Sequence, residues 1–285
     1  MPPSVQQLEP REAAKFIDAV RLGERTLLDV RQDFEYAEGH LPGAQHIPLP
    51  ELSERLGELN TTLPILTYCR SGARSLAAAN MLAGQGFRDV MSMKGGMLAW
   101  EGAQAQGSLD LGISSLVSAS TPAALLERAW GMEYALETFY NVLVERTPDK
   151  ELSALFQRLA SFEEKHRRTL FEIWTRIEAG QAGADAASTA AKAAFEARAR
   201  ASLSPGILEG GIPAQDYLGH LAHPSDESEA LELAMAVEAQ ALDLYMRHSK
   251  TASDKELQRT LILLAEEERA HLKVLGAFAT GRGRF

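Results

Sequence analysis

The chain has 285 residues, 45% hydrophobic and 24% charged, which is enough for two domains with a core each. A formal net charge of −10 leaves no basic face for a phosphate backbone and excludes a nucleic-acid partner. A single cysteine excludes an intrachain disulfide and points to a reducing compartment. No stretch approaches the roughly 20 apolar residues of a membrane span. Met1-Pro2-Pro3-Ser4-Val5 has neither the basic flank nor the apolar run of a secretory leader. A soluble cytoplasmic protein is expected.

Residues 1–107 alternate short apolar runs with helical stretches. Strands are predicted at 26–30, 64–68 and 89–93, and helices at 11–21, 51–59 and 74–84. Such alternation implies an α/β domain with a mostly parallel sheet flanked by helices. Composition shifts toward Ala, Gln, Gly and Ser around 102–120, so residues 108–120 read as a linker and 121–285 as a second, all-helical domain.

The cysteine falls where chemistry is expected. Cys69 follows the apolar strand and opens Cys69-Arg70-Ser71-Gly72-Ala73-Arg74-Ser75, just before a helix. A thiol at a strand-to-helix turn meets free backbone N–H groups, and Arg70 and Arg74 add positive charge. Both effects lower a thiol pKa below its ordinary value of about 8.5 and produce a nucleophilic thiolate. Gly72 lets the loop curl so that several N–H groups converge on one centre, a cradle suited to a persulfide or an oxyanion.

This loop resembles the active site of the rhodaneses. Leu28-Asp29-Val30-Arg31, Glu35-Tyr36, Gly39-His40-Leu41-Pro42-Gly43-Ala44, His46-Ile47-Pro48 and Lys94-Gly95-Gly96-Met97-Leu98-Ala99-Trp100 extend the resemblance over about residues 5–105. It implies that Cys69 takes sulfane sulfur from a small anion such as thiosulfate and passes it to a thiophilic acceptor. Arg70, Ser71, Gly72, Ala73 and Arg74 would hold the substrate, with Asp29 and Arg31 bracing the loop. Phosphatases of this fold separate Cys and Arg by five residues. Here four intervene, a tighter cradle that favours sulfur.

Downstream of 120, helical periodicity takes over. The first helix starts after the cap signal Thr121-Pro122 and runs to about Arg146. Thr147-Pro148-Asp149 breaks it before a second helix from 150 to about 179. A second pair spans about 227–250 and 254–280. Residues 180–226 are too long for a hairpin loop and suit a crossover with helical segments of its own.

The two pairs are one hairpin written twice, offset by 105 residues. Glu133, Glu163 and His166 map onto Glu238, Glu268 and His271, and Asp149-Lys150-Glu151-Leu152 onto Asp254-Lys255-Glu256-Leu257. A helix places residues three apart on one face, so each Glu-x-x-His can serve one metal. Residues 133 and 163 are centred on Pro148, and 238 and 268 on Ser253. In each hairpin, therefore, the lone Glu and the Glu-x-x-His stand at equal height, roughly 22 Å from the turn at about 1.5 Å per residue. Four Glu and two His in a helical core suit two iron ions, with manganese or another divalent metal as the alternative. Glu137 has Leu242 as its repeat partner and is not expected to ligate. Glu164 and Glu267 are set aside because the repeat pairs Glu163 with Glu268. His220 and His223 read as a surface pair.

These features, with Tyr140 and Tyr245 each seven residues after a Glu and the stretch Leu208-Glu209-Gly210-Gly211, resemble the rubrerythrin branch of the ferritin-like proteins. The resemblance covers about residues 120–280. It implies a four-helix bundle with a long crossover, a di-iron centre acting on peroxide or dioxygen, and a plausible homodimer. The chain lacks the Cys-x-x-Cys iron site that full rubrerythrins carry. The expected function is a persulfide-forming sulfurtransferase fused to a di-iron centre in redox, oxidant or sulfur metabolism. The alternative is a peroxide- or dioxygen-reducing metalloprotein with the cysteine module as a sensor or binding domain.

Overall fold

A computed structural model describes residues 5–108, 121–182, 188–202, 227–252 and 254–281. The chain divides into two compact units. One comprises Met1–Asp110, Leu242–Ala252 and Gln258–Glu266; the other comprises Leu111–Ala241, Ser253–Leu257 and Glu267–Phe285.

The first unit is built on a five-stranded, all-parallel sheet. Its strands are β1 (Gln6–Leu8), β2 (Thr26–Asp29), β3 (Gln45–His46), β4 (Ile65–Tyr68) and β5 (Val90–Met93), in the order β1-β5-β4-β2-β3. Parallel strands need crossovers that cover both faces, and the sequence alternates to match. Leu28, Ile65 and Cys69 pack with Ala78, Ala79 and Leu82 on one side, whereas Leu27, Leu66 and Tyr68 pack with Ala13, Tyr36 and Leu41 on the other. Helices α1 (Pro10–Ala19), α2 (Asp33–Glu38) and α3 (Ala73–Gly84) complete this part.

The helix expected over 51–59 does not form. Two 3₁₀ turns, Leu49–Glu51 and Leu56–Glu58, flank an irregular stretch instead. Ser53 and Gly57 are poor helix formers in so short a stretch, so a continuous helix has no stable nucleus here. The short strands β1 and β3 and helix α2 add to the predicted elements, because each carries too few residues to show a period in the sequence.

The long helices are α4 (Pro122–Arg146), α5 (Lys150–Ala182), α7 (Glu227–Thr251) and α8 (Lys255–Gly281). Their starts follow the predicted chemistry. The Thr121 hydroxyl accepts the Ala124 N–H at 3.1 Å. Asp149 accepts from Leu152 N–H at 2.7 Å, and its repeat partner Asp254 accepts from Leu257 N–H at 2.8 Å. Each such cap is worth about 1 kcal/mol. The repeated Asp-Lys-Glu-Leu tetrapeptide is thus the same helix start used twice. A core of Leu136, Phe139, Tyr140, Phe156, Leu159 and Val237 lies along the second unit.

The crossover contains helix α6 (Thr189–Ala201), capped by Ser188 and packed on α4 through Phe195, which meets Trp130 edge-on. His220, His223 and Leu208-Glu209-Gly210-Gly211 lie outside the described residues, as does most of the expected linker. Among the described residues, no helix is long and apolar enough to cross a membrane.

Candidate functional site

Cys69 sits directly beyond the carboxyl end of β4, the middle strand of the sheet, where ligands of parallel α/β sheets gather. The turn into α3 is made by Gly72, at φ +98°, in the left-handed region that disfavours a side chain. That turn aims the Gly72 N–H at Cys69 Sγ, 3.1 Å away. The thiol is fully buried. Burial alone raises its pKa, but donors from Ser75, Gly72 and Ser71 outweigh it and hold the thiol below its ordinary value.

The loop is braced from two sides. Thr67 and Ser92 bind the first turn of α3, the Thr67 hydroxyl donating to Ser75 O at 2.9 Å and the Ser92 hydroxyl to Ser75 Oγ at 3.0 Å. The segment after β5 closes over the top, with Met97 N–H donating to Cys69 O at 2.8 Å and Leu98 N–H to Arg70 O at 3.0 Å. This approach depends on Gly96, where a Cβ would lie 2.1 Å from Cys69 O.

The two arginines of the loop are placed differently. Arg74 makes a bidentate pair with Glu35, both N···O distances 2.7 Å. Hydrogen bonding from Arg74 pulls the Glu35 pKa down to about 2, against a smaller opposing effect of burial. Arg74 is therefore already charge-compensated. Arg70 is exposed and lines a cavity of about 200 Å³ together with Arg31, Glu38, Met97, Leu98 and Gln104. Asp29 and Arg31 form a buried ion pair at 2.6 Å, and Arg31 also donates to Gly39 O at 2.6 Å. Register places Asp29 opposite Tyr68, immediately before the cysteine. Ser71 donates to the thiol through its backbone, and Ala73 opens α3. Sequence reasoning missed Glu35 as a partner of Arg74 and Ser75 as a donor to the thiol.

In the second unit the structure brings all six duplicated residues together. Glu133, Glu163, His166, Glu238, Glu268 and His271 are at most 3% exposed. They fall into two groups able to hold a cation, Glu133 with His166 and Glu268, and Glu238 with His271 and Glu163. Adding 105 to 133 and 166, and subtracting it from 268, converts the first group into the second. The centre has pseudo-twofold symmetry. His166 Nδ1 lies 3.1 Å from Glu133 and 3.0 Å from Glu163 Oε2, while His271 Nδ1 lies 3.2 Å from Glu238 and 3.2 Å from Glu268 Oε2. The second oxygens of Glu163 and Glu268 face the opposite imidazoles at 3.6 and 3.9 Å. Glu163 and Glu268 thus each face both imidazoles. The imidazole rings stack with centroids 5.2 Å apart.

The donor set fits a pair of metal ions. Both Glu163 oxygens are buried without a hydrogen bond, although imidazole nitrogens lie in ion-pair range. Burial raises the Glu163 pKa well above the carboxylate range. Burial opposes protonation of His166 and His271, but the surrounding carboxylates prevail and raise both, His271 to about 9. Four acids sharing protons with two imidazoles in an apolar core is an expensive arrangement that two cations relieve. Carboxylate with imidazole is a donor mixture that iron and manganese accept.

The neighbours divide as the repeat implies. Glu137 pairs with Arg167 and Glu164 with Arg168, so neither joins the cluster. Tyr140 donates to Glu238 through a short contact. Glu267 takes a role that the sequence did not show, accepting from His166 Nε2 at 3.0 Å on the side away from the carboxylates.

Comparison with known proteins agrees with both halves. A profile described as a rhodanese-like domain matches residues 9–103, and one described as rubrerythrin matches residues 124–279. The chain belongs to the rubrerythrin family over its carboxyl-terminal half and carries a rhodanese-like domain ahead of it. Putative sulfur carrier protein YrkF of Bacillus subtilis (strain 168) is 45% identical over 76 residues, 27% of this chain and 41% of that protein. The chain therefore spans less than half the length of YrkF. Putative sulfurtransferase YtwF of the same organism is 43% identical over 76 residues, 27% of this chain and 73% of that protein. Thiosulfate sulfurtransferase GlpE of Pseudoalteromonas translucida is 36% identical over 80 residues, 28% of this chain and 76% of that protein.

Proposed function

We propose that the chain is a sulfurtransferase that forms a persulfide on Cys69, fused to a di-metal carboxylate centre, with iron as the metal, serving redox, oxidant or sulfur metabolism. The observation that carries the sulfur-transfer reading is the Gly72 N–H directed at Cys69 Sγ within a ring of donors that favours the thiolate. With thiosulfate as donor, the Cys69 thiolate attacks the outer, sulfane sulfur. A new S–S bond forms, the donor's own S–S bond breaks, and sulfite leaves with the electron pair. An acceptor thiolate or cyanide then attacks the outer sulfur of the Cys69 persulfide, and the Cys69 thiolate is released. No net oxidant or reductant is required.

Arg70, the exposed cation lining the cavity, is suited to orient the donor's sulfonate group. Arg74 is held beside the cradle by Glu35, and the Asp29–Arg31 pair fixes the loop's flank. Loop amides from Ser71 to Ser75 would carry the outer sulfur's negative charge. The names YtwF and GlpE bear on the same reading, since both describe sulfurtransferases.

In the bundle, Glu133, Glu163, His166, Glu238, Glu268 and His271 would hold the metals. A bound di-iron pair supplies reversible electron transfer toward peroxide or dioxygen. The protein's part is to exclude water by burying all six donors and to fix Glu238 through the Tyr140 hydroxyl. The test is a thiosulfate-to-cyanide assay with metal analysis of the same sample. Turnover that depends on Cys69, with about two metals per chain, supports the reading. Absence of sulfur transfer under reducing conditions sinks the first half of it, and absence of metal sinks the second.

A further inference from the structure

The pseudo-twofold symmetry of the bundle centre is broken at Glu267. Glu267 precedes Glu268 and accepts from Nε2 of His166, 3.0 Å away, while Nδ1 of the same ring faces Glu133 and Glu163. Subtracting 105 from 267 gives 162, which is Phe162. Phe162, at the repeat-equivalent position, lies over the face of His271, its ring stacked on the imidazole with centroids 5.2 Å apart and an interplanar angle of 11°. Glu267 thus offers His166 an anion at its Nε2 edge, whereas Phe162 offers His271 an aromatic face. The six candidate ligands are otherwise matched residue for residue.

A carboxylate that accepts the distal N–H of a metal-bound imidazole fixes the ring's tautomer and makes the proximal nitrogen a stronger donor. An aromatic ring stacked on the face positions the imidazole but accepts no such bond. Glu267 is half-exposed, at 48%, so its charge is partly screened by water while its hydrogen bond stays directional.

We propose that Glu267 is a positioning residue that makes the two metal positions inequivalent, so that the position built on Glu133, His166 and Glu268 binds its cation first and more tightly. This rests on the metal-centre reading given above. Glu267 is no ligand itself, because its contact is with the imidazole nitrogen that points away from the cluster.

The experiment is a titration of the metal-free full-length chain with Co(II), followed by calorimetry and by the visible bands of the bound ion. The wild-type protein should show two resolved steps. Glu267→Gln should weaken the tighter step about tenfold, the lower end of the range for losing such a partner, and leave the other within twofold. It should also shift the visible bands of the first ion bound. Phe162→Glu should strengthen the weaker step and bring the two together, and Glu267→Asp should restore part of the separation. Far-UV circular dichroism of each metal-free variant establishes the fold before metal is added. A single unresolved wild-type step overturns the proposal, as does a Glu267→Gln protein whose steps are unchanged or weakened equally. Should Glu267→Gln fail to fold, Phe162→Glu decides alone, and two steps as far apart as in wild type overturn the proposal. A wild-type chain that takes up no Co(II) overturns the metal-centre reading, and this proposal with it.

Discussion

The cysteine cradle and the bundle centre solve the problem of buried charge in opposite ways. The cradle uses backbone. Backbone N–H groups of Ser71, Gly72 and Ser75, joined by the Ser75 hydroxyl, converge on one sulfur and favour its negative charge. The bundle uses side chains drawn from positions as far apart as 133 and 271, and it gathers four carboxylates against two imidazoles. Within those six residues the acids outnumber the bases, so the balance must come from outside. The first site is complete as folded, whereas the second is built to be completed by cations.

Each variant below presses on one side of that contrast. Cys69→Ala should abolish thiosulfate-to-cyanide transfer while leaving metal content at the wild-type level; retained turnover would move the nucleophile elsewhere. Glu163→Ala and His271→Ala should each lose metal, read as metals per chain, while keeping sulfur transfer. Chelation of the wild-type protein should likewise lower the melting temperature of the bundle without touching the sulfurtransferase. A ligand present at about 100 times its dissociation constant contributes about 2.7 kcal/mol, and stripping it removes that much. Equal metal content in wild type and both variants would empty the bundle of its proposed role.

Gly96→Ala should destabilise by about 3 kcal/mol in denaturant unfolding, because the added Cβ meets backbone rather than a movable side chain. Sulfur transfer should fall with it. Glu35→Gln should cost less, about 1 kcal/mol, since Arg74 is 34% exposed and solvent screens the pair. The sign of its pH dependence is fixed. The folded Glu35 pKa, about 2, lies below the unfolded value, so the pair's contribution is full above the unfolded value and fades as pH falls through about 2. Unfolding curves of wild type and Glu35→Gln should converge in that acid range; a constant gap down to pH 2 would contradict the pairing. The smallest effect is on alkylation. The rate for Cys69 should reach half its plateau below the ordinary thiol midpoint of about 8.5, and a midpoint above it would remove the cradle's proposed electrostatic role.

How much of the molecule is legible in its sequence follows the same division. The Cys69 loop is legible because its atoms are contiguous, and a strand, a glycine and a helix start are local facts. The bundle donors are legible for a different reason. Duplication at an offset of 105 supplies a second copy of each, which separates Glu133 and Glu163 from near neighbours such as Glu137 and Glu164. Contacts without either aid stay hidden. Glu35 and Arg74 lie 39 residues apart and meet only through the sheet. Glu267 has no acidic partner in the repeat and so gives no signal of its own, and that mismatch is where the symmetry breaks. Over 51–59 a helix is expected, but Ser53 and Gly57 in so short a stretch leave only turns at its edges.

The way the bundle donors cross between hairpins has a mechanical consequence. Each cation position takes two residues from one hairpin and one from the other, so the ions would act as rivets through both halves of the duplicate. A chain nicked between Ala182 and Glu227 would still be fastened at its centre while loaded, and stripping the ions would take out both fasteners together.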